Sequence, residues 1–307
     1  MQIVVLGSAA GGGFPQWNCN CPGCRRARAG DPAAQPRTQA SLAVSTDASR
    51  YLLVNASPDI RQQIADAPRL TPPAADVRGS PIAAVVLTNA DVDHTAGLLS
   101  LRERQPLALY ATARVLEVLA GNPIFHVLDP ELVPRRPLPL DVRVVVDGQG
   151  AAGLAVTAFA VPGKVALWLE REAGDNLAGA NEDTVGLRIE DTATGRYFFY
   201  VPGCAALPAT LAARLTGAPL VFFDGTTWRD DEMVATGAGT KTAARMGHMS
   251  IAGPDGSLAA FRPLGVGRRI YTHINNTNPV LLADSAERRQ AEADGWEIAT
   301  DGMEIHL

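Results

Sequence analysis

No apolar stretch in these 307 residues approaches the roughly 20 needed to span a bilayer, so membrane insertion is not expected. A surplus of basic residues is missing too. The 27 Lys and Arg stand against 32 Asp and Glu, a net charge of −5, which excludes the basic stripe that a nucleic-acid partner would need. Residues 1–7 have neither the basic start nor the long apolar core of a secretory signal, and a cytoplasmic location is expected. Cysteine is scarce, with four in the chain. In a reducing compartment Cys19, Cys21 and Cys24 read as metal ligands or reactive thiols, not as a disulfide framework. The glycine-rich turn at 7–13 lacks the lysine of a phosphate-binding loop, so its expected role is close backbone approach beside a site.

What is present alternates. Strands are predicted at 2–6, 81–87, 107–111, 142–146, 154–160, 165–170, 184–190, 197–201, 220–224, 269–272 and 296–299. Helices are predicted at 60–67, 113–120, 209–215, 250–262 and 284–294. Residues 41–45 and 51–55 read as a hairpin around Asp47-Ala48-Ser49, with further turns at Asp147-Gly148 and Thr194-Gly195. The basic, proline-containing stretch 25–37 reads as a surface loop. Two halves, each with strands and flanking helices, predict an α/β protein of two sheets packed face to face with helices outside. No internal repeat is evident.

The apolar run 81–87 stops at Thr88-Asn89-Ala90-Asp91-Val92-Asp93-His94, before Ala96-Gly97-Leu98 opens a helix. Two aspartates and a histidine within four residues must be solvated, hydrogen-bonded or bound to a cation. Either Asp93 is an N-cap in an Asx-rich turn, or the cluster is a metal site. Asp224, His248 and His273 also sit beyond strand ends, where α/β ligand pockets form. One carboxylate and two imidazoles are a recurrent mononuclear metal set. His126, in a proline-bounded turn, reads as a surface or packing residue.

The C-x-C-x2-C knuckle in Trp17-Asn18-Cys19-Asn20-Cys21-Pro22-Gly23-Cys24 can close on one zinc ion. Its fourth ligand could come from Cys204, His306 or Asn276. Cys204, after the apolar run 197–201, reads more naturally as a small buried hydrophobe.

With Asn89-x-Asp91-x-Asp93-His94 after a strand, His273 after a late strand and Asp301-Gly302-Met303-Glu304-Ile305 near the end, the chain resembles the metallo-β-lactamase superfamily. Its knuckle resembles that of the phosphodiesterase-like branch. Two long motifs, Ser8-Ala9-Ala10-Gly11-Gly12-Gly13-Phe14-Pro15-Gln16-Trp17-Asn18-Cys19 and Thr272-His273-Ile274-Asn275-Asn276-Thr277-Asn278-Pro279, resemble the branch that serves synthesis of the quinone cofactor pyrroloquinoline quinone (PQQ).

The resemblance implies a single αββα domain over 1–307, two mixed sheets with outer helices, and a structural zinc knuckle at 17–26. The superfamily's His-x-His-x-Asp-His motif is altered here. Asn89 and Asp91 stand where its first two histidines would be, and neither its third histidine near Pro162-Gly163 nor its bridging aspartate near Pro202-Gly203 is present. The first metal site is therefore expected to be lost and the second, Asp93, His94 and His273, to survive. Such a set suits Fe2+ with O2 as co-substrate, and Zn2+ or Mn2+ can substitute. The implied activity is hydroxylation of the tyrosine ring of a peptide-derived Glu–Tyr precursor. The alternatives are a soluble carrier assisting transport of PQQ or its precursor to the periplasm, and a degenerate metallo-hydrolase. Asp91 would orient a ligand, ligate the ion itself or carry protons, His248 would donate a proton or anchor substrate, Lys164 and Asp224 would bind substrate, and Cys19, Cys21 and Cys24 would hold zinc with Asn276 as candidate fourth ligand. The implied partners are the precursor and other PQQ-synthesis proteins, with a homodimer left open.

Overall fold

The computed structural model describes residues 1–146, 153–173 and 179–307, so the predicted Asp147-Gly148 turn lies outside the described residues. Fourteen strands are formed among them: β1 (Gln2–Gly7), β2 (Ser41–Ser45), β3 (Tyr51–Val54), β4 (Ile82–Val86), β5 (Ala108–Ala111), β6 (Arg135–Pro137), β7 (Arg143–Val145), β8 (Leu154–Ala160), β9 (Val185–Asp191), β10 (Tyr197–Val201), β11 (Leu220–Asp224), β12 (Arg268–Thr272), β13 (Trp296–Ile298) and β14 (Glu304–His306). They build two seven-stranded sheets in the orders β14-β1-β2-β3-β4-β5-β6 and β13-β12-β11-β10-β9-β8-β7. Both are mixed. Strands β3 to β6 run parallel, as do β10 to β13, while the remaining neighbours pair antiparallel.

Side-chain alternation explains the layering. Along β10, Phe198 and Tyr200 join the core between the sheets with Leu52, Val54 and Val86. Phe199 and Val201, one residue out of phase, pack outward among Leu211, Leu215 and Phe261 of the covering helices Ala209–Leu215 and Ser257–Phe261. On the other sheet, Leu53 and Val85 meet Ile60, Val115 and Leu119 from the helices Ile60–Asp66 and Ala113–Ala120. Strands covered on both faces must be apolar throughout, which is why 81–87 and 220–223 read as continuous runs.

Several local expectations are corrected. Residues 25–37 do not form one loop, because Pro22–Arg28 is helical, with Pro at its first turn and Arg25, Arg26 and Arg28 near its C-terminus, where basic side chains favour the helix dipole. Residues 165–170 are not a strand. They form a 3₁₀ turn, Leu167–Leu169, leading into Glu170–Ala173, because Leu167 N–H donates to Asp91 Oδ1 and Trp168 Nε1–H to Ala90 O, tying the segment over the 88–94 loop. The predicted helix 250–262 shrinks to Ser257–Phe261, since Gly253, at φ 95°, turns the chain before it. The three-residue strands β6 and β14 were too short to show a period in the sequence. His126 is exposed and contacts Ala120 O, as expected of a surface residue. No helix among the described residues is long and apolar enough to cross a membrane.

Candidate metal centre

Parallel strands all end on the same edge, and that edge carries the site. Residues 88–94 follow β4, Asp224 ends β11 and His273 follows β12. Asp93 is not an N-cap. Asp91 holds that position of the one-turn helix Val92–Thr95, without a side-chain cap bond, and Asp93 lies in the first turn facing His273. Asp93 Oδ2 lies 3.0 Å from His273 Nε2 and 3.8 Å from His94 Nε2. The three donor groups come within 4.8 Å of one another.

Each imidazole is oriented from behind. His94 Nδ1–H donates to Thr88 Oγ1 at 3.2 Å, and the Thr88 hydroxyl in turn donates to Asn55 Oδ1. That leaves His94 Nε2 buried with no partner of its own. His273 adopts φ 55°, a left-handed backbone unusual for a residue with a Cβ, held by Ile274 N–H to Ser8 O and Asn275 N–H to Thr226 O. Its Nδ1–H donates to Thr226 Oγ1 at 3.0 Å, and Thr226 donates to Asp224 Oδ1 at 2.7 Å. An orphaned ring nitrogen beside a carboxylate and a second imidazole is what a cation needs, so these residues fit a metal ion.

Electrostatics agree. Burial, reinforced by the neighbouring histidines against the pull of Asp93, lowers His94 to about 4, keeping its ring neutral and able to ligate. Burial would raise Asp93, yet His94 and the His273 hydrogen bond outweigh it and hold the carboxylate ionised. For His273, burial is likewise overcome by Asp93, and its pKa rises. Asp91 is shifted upward by burial and by the Asp93 charge, and is held by Leu167 N–H. Asn89 Oδ1 accepts Asp91 N–H, fixing the loop.

His248 sits on a turn made possible by Gly247 at φ 86°, and its Nδ1–H donates to Asp224 Oδ2 at 2.6 Å. Asp224, His248 and His273 also converge, but Thr226 Oγ1 touches all three and fills the centre, so this group is a hydrogen-bond network rather than a second cation site. Asp224 is fully buried and accepts from Cys204 N–H, Thr226 and His248. Its predicted substrate role is corrected: the carboxylate is spent orienting two imidazoles. Thr226 was visible in the sequence only as a polar residue after a strand, and no local signal marked it as the shared node.

A cavity of about 280 Å³ opens over this floor, lined among others by Asp91, Lys164, Leu167, Met246 and His248. Gly163 and Gly203 line it where the superfamily pattern would place a ligating histidine and aspartate.

The knuckle lies apart from this cavity. Cys19, Cys21 and Cys24 converge within 4.8 Å, and Asn276 Nδ2 lies 3.4 Å from Cys24 Sγ. A half-turn of that amide would present Oδ1 instead. Burial and the adjacent Cys24 push Cys21 up to about 12, whereas Cys19, despite burial, is lowered by hydrogen bonds from Cys21, Cys24 and Asn276. Of the other candidate ligands, Cys204 is buried and donates to Ala206 O, and exposed His306 pairs with Glu304 on β14. Neither joins the thiols.

Behind the knuckle, buried Glu232 accepts from Trp228 N–H and Thr277 Oγ1. Burial raises it from 4.5 to about 7. The folded protein thus keeps a proton that the unfolded chain releases between these values, so its stabilising contribution is complete below pH 4.5 and lost as pH rises through 7. Glu232→Gln is expected to raise stability at pH 8 by about 2–3 kcal/mol and to change little at pH 5, as read by urea unfolding at both pH values.

Two sheets with a His–Asp–His cation cradle at the carboxyl ends of their parallel strands define a metal-binding protein of metallo-β-lactamase fold. Residues 50–274 match the family model described as Beta-lactamase superfamily domain. Coenzyme PQQ synthesis protein B of Xanthomonas oryzae pv. oryzae (strain MAFF 311018) is 55% identical over 307 residues, covering all of both chains. The crystal structure of Zn(2+)-bound PqqB from Methylobacterium extorquens is 50% identical, covers both chains fully and superposes with a TM-score of 0.94. A diphosphatase of the PhnP family, 19% identical over 99% of this chain and 96% of its own, has a TM-score of 0.70 and shares the fold alone. The chain belongs to the coenzyme PQQ synthesis protein B family within that superfamily.

Proposed function

We propose that this protein acts in PQQ synthesis by hydroxylating the tyrosine ring of a small Glu–Tyr-derived precursor at a mononuclear centre held by Asp93, His94 and His273. The observation that carries this reading is the single cradle with its orphaned His94 Nε2, in a pocket where Asn89, Asp91, Gly163 and Gly203 replace the ligands of a second ion. Among the described residues a hydrolytic pair of ions finds no second seat, whereas oxygen chemistry needs one ion with open positions. Fe2+ held by Asp93, His94 and His273 would supply the O2-activating chemistry, and the overall reaction would place one oxygen atom on the ring and release the other as water, with two protons and two electrons drawn from an external thiol- or ascorbate-class reductant. Zn2+ bound by the Methylobacterium relative is compatible with the same donor set.

The protein's own groups have separable tasks. Asp224 fixes Nδ1 of His248, which leaves Nε2 to take or return the phenol proton at the pocket. Asp91, tethered to Leu167 N–H, lines the wall beside it as a proton carrier. Thr226 sets the tautomer and plane of His273. Cys19, Cys21 and Cys24 hold a structural zinc, with Asn276 or water completing the shell.

Thr226→Val removes the acceptor of His273 Nδ1–H and is expected to weaken metal binding at this centre 10–100-fold, measured by chelator competition, while Thr226→Ser retains it. The reading as a whole is tested by anaerobic loading with Fe2+, followed by mass spectrometry of a Glu–Tyr cross-linked substrate before and after O2. A gain of one oxygen atom supports it. No gain, with tight PQQ binding, replaces it by the carrier.

A further inference from the structure

The glycine-rich turn at 7–13 and the loop between β13 and β14 are held together, although Ser8 and Asp301 stand 293 residues apart in the chain. Asp301 Oδ1 accepts Ser8 Oγ–H at 2.8 Å, while its Oδ2 accepts Thr38 N–H at 2.6 Å and Thr38 Oγ1–H at 2.8 Å. One carboxylate thus ties two segments. Thr38 O in turn takes the N–H groups of Ser8 and Ala9, and Ala40 N–H donates to Ala9 O. Gly7 makes this seat possible, since a Cβ there would stand 2.1 Å from Gln39 O. On its other side the same segment meets the residue after His273, with Ile274 N–H donating to Ser8 O at 3.0 Å and Ala10 N–H to Ile274 O at 2.8 Å. Ala9 therefore bridges Gln39, just before β2, and Ile274, just past β12. Beyond it, Ala10 and Gly11 line the cavity, and a Cβ on Gly11 would lie 3.5 Å from Asp93 Oδ2.

Residues 8–11 touch two of the three groups in the cradle, the backbone beside His273 and the carboxylate of Asp93. His273 sits at φ 55°, a conformation that persists only where its surroundings over-determine it. Two backbone acceptors flank it. Thr226 O follows β11 directly, whereas Ser8 O belongs to a segment whose side-chain anchor is Asp301. We propose that Asp301 is a positioning residue of the metal centre, seating residues 8–11 so that Ser8 O holds the turn at His273 and aims its ring at Asp93. Asp301 does not line the cavity and acts through Ser8 and Thr38. A carboxylate suits the task because both of its oxygens accept, whereas an amide would turn an N–H2 group toward a donor. The inference rests on the metal centre assigned above and on no particular reaction there.

Two readings on the full chain test it without turnover. Titration with Co2+ reports the centre through its d–d bands and the knuckle through thiolate charge transfer, and hydrogen exchange reports the Ile274 amide that donates to Ser8 O. Asp301→Asn is expected to weaken Co2+ at the centre about tenfold, to keep the thiolate bands and to speed exchange at Ile274 about tenfold. Ser8→Ala cuts one link and leaves Thr38 tied, so it folds more readily and should shift both readings about threefold. Adding it to Asp301→Asn should cost less than that, because both changes act on the same bond. Val118→Ala, a cavity under the covering helix Ala113–Ala120, is the control for lost stability alone. A merely structural Asp301 would lower the melting temperature as that control does and move neither reading. A wild-type value of either reading in both Asp301→Asn and Ser8→Ala protein overturns the proposal, as does an equal loss of Co2+ affinity in Val118→Ala protein. If the Fe2+ protein inserts no oxygen while these shifts appear, hydroxylation falls and the positioning role stands. Oxygen insertion without the shifts does the reverse.

Discussion

Replacing His94 by alanine should reduce oxygen incorporation by about 1,000-fold or more, a loss of about 4 kcal/mol in transition-state stabilisation. The residue is buried, its Nδ1 is committed to Thr88, and its other nitrogen faces Asp93 and His273 with no protein partner. The other imidazole at this site, His248, is already bound to Asp224 through Nδ1 and stacks against the ring of His273 at 5.3 Å. Metal analysis of the purified variant is expected to show one ion fewer per chain than the wild type, with the knuckle ion retained. The fold should survive, since removing a neutral, partly unsatisfied ring from the loop leaves both sheet cores intact. Full metal content and full oxygen incorporation in His94→Ala protein would exclude this centre.

Cys24→Ser should lose the other ion and destabilise the protein by about 3–5 kcal/mol, which for a chain of this size lowers the unfolding midpoint by roughly 10 °C. Cys24 is fully buried in the first turn of Pro22–Arg28, beside Phe14 and Ala27 in the outer core. An ion shared by three thiolates there would link the 14–28 segment to Asn276, three residues beyond His273. Losing it should loosen the strained turn at His273 and lower oxygen incorporation about tenfold even with Fe2+ in excess. Thermal unfolding with and without chelator, together with metal counting, separates the two effects. A variant that melts as the wild type does and still carries both ions would show that the thiols hold none.

These two outcomes differ in how far the sequence foresees them. The knuckle is legible because its ligands sit within six residues, so local spacing alone brings the thiols together. Asp93 and His94 are adjacent for the same reason. His273 is foreseen as a polar residue past a strand end, since the apolar run before it announces β12 and ligands in α/β folds gather at such ends. The layered architecture also follows from one-dimensional patterning, as at β10, where Phe198 and Phe199 can only face opposite cores.

Other features depend on contacts between residues far apart in the chain. Residues 165–170 have strand-like composition but fold as a 3₁₀ turn, because Ala90 and Asp91 offer acceptors that no window of the sequence contains. Asp224 has the look of a pocket residue, yet the packing of the Cys204 and His248 loops over it turns its carboxylate inward. Thr226 as a common node, and Glu170 as the meeting point of Lys164, Lys241 and Arg245, arise from segments up to 75 residues apart.

By itself, then, the chain determined which side chains can hold metal and which strands carry them, because short-range spacing and hydrophobic alternation are local properties. Only the tertiary structure decided which carboxylates stay free to ligate, which are spent on histidines and which gather cations from distant segments, because those depend on which distant donors and acceptors burial forces together.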